Sequence, residues 1–280
     1  MWLWSKLSAK QWEDAWEERF HGNAGAVISE IKGGKTVRVE VYCEEKAEAE
    51  EIQEQFGGSV REIKNRDWVA AAARPAPPIV IRDRFVVTQE AGEKELAALA
   101  TEHPDKELLS IPAEMAFGTG DHPTTATCLR LLVDAAGEQK GEWSFLDAGT
   151  GSGLLAIAAA KLGAKPVLAF DFDEKAVEVG ARNLTRNKTE KVELFVADVF
   201  DWTHEGTFPV VAANLFATIL VQVMDRLVAW VEPGGILILS GIMRTQWDEV
   251  QQVAEKNGLI QKEHRVVGKW VTARFVRGEK

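Results

Sequence analysis

The sequence contains few cysteines, fewer basic than acidic residues, and no long uninterrupted apolar run. Its two cysteines, Cys43 and Cys128, match neither a metal-ligand spacing nor a disulfide framework, which predicts a reducing compartment and no bound metal. The net charge is −10, from 33 basic and 43 acidic residues. This balance argues against nucleic-acid binding, which needs basic surface to displace counterions. Polar residues interrupt the longest apolar segment, residues 208–224, so it is a poor membrane span.

The composition that remains is that of a folded protein. Hydrophobic residues make up 46% of the chain and charged residues 27%, which argues against global disorder. The length of 280 residues favours two domains. The N-terminal residues meet a charged amphipathic stretch without the apolar core of a signal peptide. We therefore expect a cytoplasmic protein.

Residues 1–73 are predicted to form a small ferredoxin-like α+β domain. Its elements follow the order β-α-β-β-α-β, which is typical of that fold. The first helix is expected to begin at Ser8 as its N-cap, and the second to end at Gly57. The expected elements are a strand at 2–6, a helix at 8–20, strands at 26–31 and 36–42 joined by a turn at 32–35, a helix at 44–56 and a strand at 59–63.

A proline-rich segment separates this domain from the rest of the chain. Three prolines within Arg74–Pro78 fix an extended path. We interpret residues 74–111 as a linker that contains a short strand and a helix from Glu93 to about Thr101. From residue 112 to 280, apolar strands alternate with helical patterns, which predicts an α/β domain with a parallel sheet. Its last two strands, at 259–267 and 270–276, are predicted to form an antiparallel hairpin at the sheet edge.

The strongest local signal is a glycine loop between a strand and a helix. Gly149, Gly151 and Gly153 follow the strand that ends near Asp147, and the helix begins at Leu154. Such a βαβ unit forms a nucleotide-binding crevice. The spacing lacks the sixth-position glycine of dinucleotide sites, and Asp147 would repel a pyrophosphate. A cationic ligand such as S-adenosylmethionine is therefore favoured over NAD.

Polar side chains end the three strands that follow. Asp171 lies 22 residues after Gly149, where a carboxylate can accept both ribose hydroxyls; its alternatives are a solvated loop acid and a helix cap. Asp173 and the next residue are expected to serve a helix N-terminus. Asp198 is either an adenine contact or a turn residue. Asn214 is either a site residue facing the crevice or a capping asparagine.

A second glycine-rich segment, residues 116–125, lies upstream of the glycine loop. It contains Phe117, Gly118, Thr119, Gly120, His122 and Thr125 before a helix predicted at 126–132. By itself it is a loop followed by a helix cap, and a lone histidine such as His122 is more often structural than catalytic. We nevertheless expect the two glycine-rich loops to flank one pocket.

These ordered segments resemble the ribosomal protein L11 methyltransferase family. The similarity rests on Phe-Gly-Thr-Gly-x-His-Pro-Thr-Thr at 117–125, Leu-Asp-x-Gly-x-Gly-Ser-Gly from 146, Phe-Asp-x-Asp from 170 and Asn-Leu-x-Ala from 214. It implies a seven-stranded, Rossmann-like class I methyltransferase domain behind a ferredoxin-like domain that docks the ribosomal substrate. It also implies cofactor contacts at Thr125, Gly149, Asp171 and Asn214. The loop Phe117–Gly120 would close over the methionine end of the cofactor.

The resemblance leads to the hypothesis of methyl transfer from S-adenosyl-L-methionine to amines of ribosomal protein L11, with Asn214 as the catalytic residue. The expected cofactor contacts also include Asp147, Gly151, Gly153 and Asp198. Neither nucleic acid nor a membrane is an expected partner. Three alternatives remain: a methyltransferase acting on another lysine-rich protein, a catalytically silent S-adenosylmethionine-binding module, and a nicotinamide-dependent oxidoreductase.

Overall fold

The computed structural model describes residues 2–13, 16, 19–20, 26–31, 35–43, 45–62, 77–113 and 116–279. The chain divides into two compact units, residues 1–74 and 75–280. Most of the predicted turn at 32–35 and the Arg74–Ala76 part of the proline-rich segment lie outside the described residues. In the described part, no helix is both long and apolar enough to cross a membrane.

The smaller unit contains a four-stranded sheet in the order β2-β3-β1-β4, in which every neighbouring pair is antiparallel. This order is the one that a β-α-β-β-α-β chain adopts in the ferredoxin-like fold, and the predicted fold class is confirmed. Its described elements are β1 (Trp2–Ala9), β2 (Ala26–Glu30), β3 (Thr36–Cys43), α1 (Lys46–Phe56) and β4 (Ser59–Glu62).

One face of this sheet is buried and the other is open. Alternate β3 residues, Val37, Val39 and Val41, are fully buried, whereas Arg38 and Glu40 point to the opposite face. The buried face packs against an aromatic cluster of Trp4, Trp16, Phe20 and Phe56, whose ring centroids lie 5.3–6.3 Å apart.

The expected helix start at Ser8 is wrong. Ser8 lies in β1 and pairs with Val37, so the strand extends three residues beyond its predicted end. The Ser8 hydroxyl accepts a hydrogen bond from Trp16 Nε1 at 2.8 Å instead of capping a helix. Trp12, which shares the helical spacing of Trp16, is 56% exposed. Pairing with β3 therefore outweighed the local capping signal.

Residues 77–111 add a three-stranded sheet in the order β5-β6-β7 to the larger unit. The sequence predicts a linker with one short strand and one helix over this segment. Buried residues such as Phe85 and Leu109 join Leu129 and Phe145 in one hydrophobic core, so the segment belongs to the packing of the larger unit. Its elements are β5 (Ile79–Ile81), β6 (Phe85–Thr88), α2 (Glu93–Glu102) and β7 (Glu107–Ser110).

The main sheet of the larger unit has seven strands in the order β10-β9-β8-β11-β12-β14-β13. Its first five strands are parallel, and β14 is antiparallel to both β12 and β13, as the predicted terminal hairpin requires. The elements are α3 (Pro123–Glu138), β8 (Phe145–Ala148), α4 (Leu154–Lys161), β9 (Val167–Asp171), α5 (Glu174–Arg186), β10 (Val192–Val196), β11 (Phe208–Asn214), α6 (Ala217–Trp230), β12 (Val231–Met243), α7 (Trp247–Lys256), β13 (Leu259–Val267) and β14 (Trp270–Arg277).

Both faces of this sheet are buried, which explains the nearly continuous apolar runs of its central strands. Phe145 contributes to the core beneath α3 and α4, and the next residue, Leu146, to the core beneath α6 and α7. The chain leaves β8 toward β9 and β10 and later returns to β11 on the other side of β8. This reversal of strand order creates a crevice at the carboxyl ends of β8 and β11, where ligands bind in open α/β sheets.

Candidate functional site

The glycine loop lies at this crevice and is held by backbone hydrogen bonds. Gly149 N and Thr150 N donate to Phe170 O at 3.0 and 2.9 Å, which ties the loop to the end of β9. Gly149, Gly151 and Gly153 all have positive φ, from +54° to +80°, a region that side chains disfavour. The loop therefore presents its backbone to the crevice and leads directly into α4.

Asp171 ends β9 beside the glycine loop and is 92% buried, with a relative exposure of 8%. Its Oδ2 accepts a hydrogen bond from Gly151 N at 2.9 Å, and its Oδ1 accepts one from Asp173 N at 3.1 Å. Burial raises the pKa of the Asp171 carboxyl, although these backbone donors oppose the rise. Asp171 is thus neither a solvated acid nor the helix cap. The cap is Asp173, as expected, which accepts from Lys175 N at 2.9 Å.

The second glycine-rich loop lies directly against the first. Ser152 N donates to Phe117 O at 2.9 Å, and Ser152 Oγ donates to Gly118 O at 2.7 Å. A Cβ on Gly151 would lie 2.5 Å from Phe117 O, so this approach requires glycine at position 151. Gly120 packs on Val87, while the Phe117 side chain is 57% exposed beside the crevice.

Asn214 is the last residue of β11, and the two polar atoms of its side-chain amide lie in different environments. Its Nδ2 donates to Thr124 Oγ1 at 3.5 Å. Its Oδ1 is buried and has no hydrogen-bond partner among the described residues. The N-cap position of the helix that follows, α6, is Phe216, so Asn214 is not a capping asparagine. A buried acceptor without a donor is costly, and a ligand donor would remove that cost.

Thr125 Oγ1 has the same character, since it too is buried without a hydrogen-bond partner in the described part of the chain. Thr125 is in the first turn of α3, two residues after Pro123. Thr119, in the preceding loop, donates through its hydroxyl to Asp121. Thr125 Oγ1 and Asn214 Oδ1 are thus buried polar atoms without a described partner, on α3 and β11, at two of the residues expected to contact the cofactor.

Asp147 and Asp198 are the two other aspartates that the sequence predicts as cofactor contacts. Asp147 is 1% exposed, and its Oδ2 accepts a hydrogen bond from Thr150 Oγ1 at 2.6 Å, which ties it to the glycine loop. Its Oδ1 is a third buried atom without a partner among the described residues. Asp198 is exposed, and its Oδ1 accepts from Phe200 N at 2.9 Å, which is a turn interaction. Their contacts with a cofactor stay predictions.

The comparison with known proteins identifies the family. The profile described as "Ribosomal protein L11 methyltransferase (PrmA)" matches residues 27–278. The chain belongs to this family. The resemblance inferred from its motifs is thereby confirmed. Curated ribosomal protein L11 methyltransferases are similar: that of Bacillus cytotoxicus is 34% identical over 76% of this chain, and that of Streptococcus thermophilus is 30% identical over 88%.

The coverage of these relatives is unequal. This chain spans 66% of the Bacillus cytotoxicus protein and 80% of the Streptococcus thermophilus protein. A crystal structure of a ribosomal protein L11 methylase from Lactobacillus delbrueckii subsp. bulgaricus superposes with a TM-score of 0.60 and 25% identity. That match covers 72% of this chain and 98% of the Lactobacillus chain. This L11 methyltransferase family member thus shares its fold with the Lactobacillus methylase.

Three further residues of this family member's site were not among the predicted site residues, although each lies within a motif that carries the family resemblance. Ser152 joins the two loops, and Thr124 contacts Asn214 across 90 positions of sequence. Leu215 packs against Gly149, because a Cβ there would meet the Leu215 side chain. Their positions within those motifs are the signal that could have identified them, and the fold shows which residues they contact.

The raised pKa of the Asp147 carboxyl predicts that the stability of this family member depends on pH. Burial raises the pKa of its carboxyl from 3.8 to about 7, a rise that Asp171 adds to and the Thr150 hydroxyl opposes. Between these values the folded state binds a proton that the unfolded state has lost. The contribution of Asp147 to the free energy of unfolding is therefore fully present below pH 3.8 and is lost by about 1.4 kcal/mol per unit as pH rises toward 7.

The measurement is urea unfolding of the wild type and of Asp147→Asn at intervals between pH 4 and pH 8. The asparagine has no proton to lose, and its side-chain oxygen can still accept from Thr150. We expect the variant to gain stability relative to the wild type as pH rises, with the difference levelling off above about pH 7. Parallel stability curves for the two proteins would contradict the assignment of a raised pKa to Asp147.

Proposed function

We propose that the chain transfers methyl groups from S-adenosylmethionine to amino groups of ribosomal protein L11, at lysine side chains, the N-terminal amine or both. The observation that carries the proposal is the buried Asn214 Oδ1, which has no partner among the described residues and lies at the crevice beside the glycine loop. An amine nitrogen is a donor of the kind that this oxygen lacks. Family membership names the methylated protein of its relatives, ribosomal protein L11.

The residues at the crevice suit S-adenosylmethionine. The Gly149–Gly153 backbone allows an adenosine close approach that side chains would block. Asp171 already accepts two backbone donors, and its oxygens have further lone pairs for ribose hydroxyls. Thr125 Oγ1 is a buried hydroxyl that needs a partner. The acidic character of this region also suits a cationic ligand better than a pyrophosphate.

The chain's own residues supply positioning for the reaction. When bound, S-adenosylmethionine provides an activated methyl group on a cationic sulfur. Asn214 Oδ1 accepts a hydrogen bond from the substrate amine and directs its lone pair toward the reacting carbon, and such alignment accounts for most of the acceleration in reactions of this type. The amine must first lose a proton to water, because the ordinary pKa of lysine is about 10.4. Transfer into a crevice beside a cation lowers the pKa of the amine.

The direct test is mass spectrometry of purified ribosomal protein L11, free and ribosome-bound, after incubation with the enzyme and cofactor. We expect mass increments of about 14 Da per methyl group, on peptides that carry lysine or the N-terminus. Tight cofactor binding without labelled methyl on any protein would instead support a silent binding module. Labelling of a different lysine-rich protein, and not of ribosomal protein L11, would show that the methyl acceptor is that other protein. Calorimetric titration with NADH tests the oxidoreductase alternative, which requires NADH to bind.

The variant Asp171→Ala tests the contribution of Asp171 to cofactor affinity. Replacing it with alanine removes the acceptor proposed for the ribose hydroxyls and frees Gly151 N. A charged hydrogen bond contributes about 1.5–3 kcal/mol, so we expect the dissociation constant for S-adenosylmethionine to rise about 10- to 100-fold in calorimetry. The matched control is Asp173→Ala, which loses the α5 cap and about 1 kcal/mol of stability but keeps cofactor affinity. Equal affinities of the wild type and Asp171→Ala would reject the ribose role.

We also propose that the smaller unit docks the ribosomal protein through the open face of its sheet. This face carries a groove of about 590 Å³ lined by residues that include Leu7, Arg38 and Arg61. Leu7 is 60% exposed, and Val27 on the same sheet is 45% exposed. Exposed apolar side chains on an ordered sheet are suited to burial by a protein partner.

Because ribosomal proteins are made in the cytoplasm, we expect the enzyme to act there.

Leu7→Asp tests this docking face. Loss of one buried leucine contact costs about 1.5 kcal/mol, so we expect the KM for ribosomal protein L11 to rise about tenfold while kcat is retained. The control is Ile260→Asp, which places the same change on an exposed strand residue of the larger unit. An unchanged KM in Leu7→Asp, or an equal rise in both variants, would contradict docking by this face.

A further inference from the structure

The inference concerns what orients the Asn214 amide, and it rests on the proposed function. An amide has a donor end and an acceptor end, and the reaction requires the acceptor end to face the substrate amine. In the structure, the donor Nδ2 is 3.5 Å from Thr124 Oγ1, and the acceptor Oδ1 is the atom left without a partner in the described part of the chain. The contact with Thr124 therefore decides which end meets the amine.

Thr124 can accept from Asn214 only if its own hydroxyl proton is engaged elsewhere. Its Oγ1 is 2.6 Å from His122 Nδ1. The same Nδ1 lies 3.4 Å from the backbone N of Thr124, which can act only as a donor. Nδ1 is thus an unprotonated acceptor, and the Thr124 hydroxyl donates its proton to it. The hydrogen bonds then have one direction, from Asn214 Nδ2 to Thr124 Oγ1 and from Thr124 Oγ1 to His122 Nδ1.

The surroundings of His122 support this direction. Its ring packs edge-on against Phe117 at 5.2 Å and Trp270 at 5.0 Å, measured between ring centroids. Burial lowers the pKa of His122; nearby Asp121 opposes this effect and Lys269 adds to it. A neutral imidazole keeps a ring nitrogen available as an acceptor. The N-cap position at the start of α3 also holds the ring in place.

We propose that Thr124 is a positioning residue, whose hydroxyl is held by His122 and orients the Asn214 amide so that Oδ1 faces the reacting amine. Rotation of the amide by 180° would bring Oδ1 to Thr124 Oγ1, whose only proton is already donated to His122. The rotated amide therefore lacks a partner at this end. Thr124 is 1% exposed, so water does not substitute for its hydroxyl.

The test compares Thr124→Val, Thr124→Ser and Thr127→Val in methyl transfer. Thr124→Val keeps the shape of the side chain but removes the hydroxyl, and we expect kcat to fall about tenfold while the dissociation constant for S-adenosylmethionine stays within about threefold. Thr124→Ser restores the hydroxyl, and its kcat should stay within about threefold of the wild type. Thr127→Val is the matched control, because Thr127 is also buried on α3 but bonds to Pro123 O at 2.7 Å.

A double-mutant cycle shows whether Thr124 acts through Asn214. In the Asn214→Ala background, Thr124→Val should cause no further loss of kcat, because the amide that it orients is gone. The proposal is overturned if Thr124→Val keeps wild-type kcat, if serine does not restore it, or if the valine variant lowers kcat by the same factor in both backgrounds.

A second readout does not depend on activity. Nitrogen-15 NMR of histidine-labelled protein, with His122 assigned through His122→Asn, reports which ring nitrogen is protonated. We expect Nδ1 of His122 to be unprotonated at neutral pH and its resonance to shift in Thr124→Val. A proton on Nδ1 overturns the inference. A wild type that leaves ribosomal protein L11 unmethylated contradicts the proposed function, whereas the NMR result still decides the orientation of the Thr124 hydroxyl.

Discussion

Asn214→Ala is expected to lower kcat for methylation of ribosomal protein L11 by at least about 100-fold. The variant removes the buried Oδ1 that we propose to hold the substrate amine, and misplacement of a reacting group by about 1 Å is enough for such a loss. Folding should be nearly unchanged, because the side chain makes one 3.5 Å hydrogen bond in the described structure. The measurement is steady-state methyl incorporation, with melting temperature as the check on folding.

The matched control for this variant is Gln222→Ala, which removes an amide from an exposed position on α6. We expect it to retain wild-type kcat and KM. Cofactor affinity of Asn214→Ala, measured by calorimetry, should fall by less than about tenfold, since Asp171 and the glycine loop remain. Full methylation activity in Asn214→Ala would remove the central element of the proposed function.

Gly151→Ala is expected to raise the dissociation constant for S-adenosylmethionine by about 100-fold. The added Cβ would lie 2.5 Å from Phe117 O, so one of the two glycine-rich loops must move. Movement breaks the hydrogen bonds from Ser152 to Phe117 and Gly118, which contribute about 1 kcal/mol each. The positive φ of +54° adds about 1–2 kcal/mol for a residue with a side chain.

Gly163→Ala separates these two causes. Gly163 also has a positive φ, +98°, but an added Cβ would meet no described atom within 4 Å. We expect this control to lose about 1 kcal/mol of stability and to keep its cofactor affinity. Titration calorimetry on both variants measures the difference. Equal affinities of Gly151→Ala and the wild type would show that the contact between the loops is unimportant for binding.

Much of the larger unit could be predicted because its signals are local. The glycine loop needs positive φ at closely spaced positions, and the apolar strands reflect burial on both faces. The Asp173 cap and the terminal hairpin were predicted for the same reason. Ser8 shows the opposite case: its local preference for a cap was outweighed by pairing of β1 with β3, in which Ser8 pairs with Val37, 29 positions away in the sequence.

Residues 77–111 show a second limit of the sequence. The helix at Glu93–Glu102 was predicted, but the pairing of three short strands was not. A strand of three or four residues carries little periodicity. The pairing of β6 with β7 becomes favourable once Phe85 and Leu109 share a core with α3, which is a property of the assembled unit.

The sequence by itself determined the class of fold, the family and the glycine loop, because repeat periods, glycine spacing and ordered motifs are properties of short segments. Tertiary structure alone decided how the site is arranged: that Asp171 holds the glycine loop, that the two loops touch through Ser152, and that Asn214 Oδ1 is left without a described partner. These contacts join residues 20 to 90 positions apart, and their geometry depends on strand order and packing, which no short segment encodes.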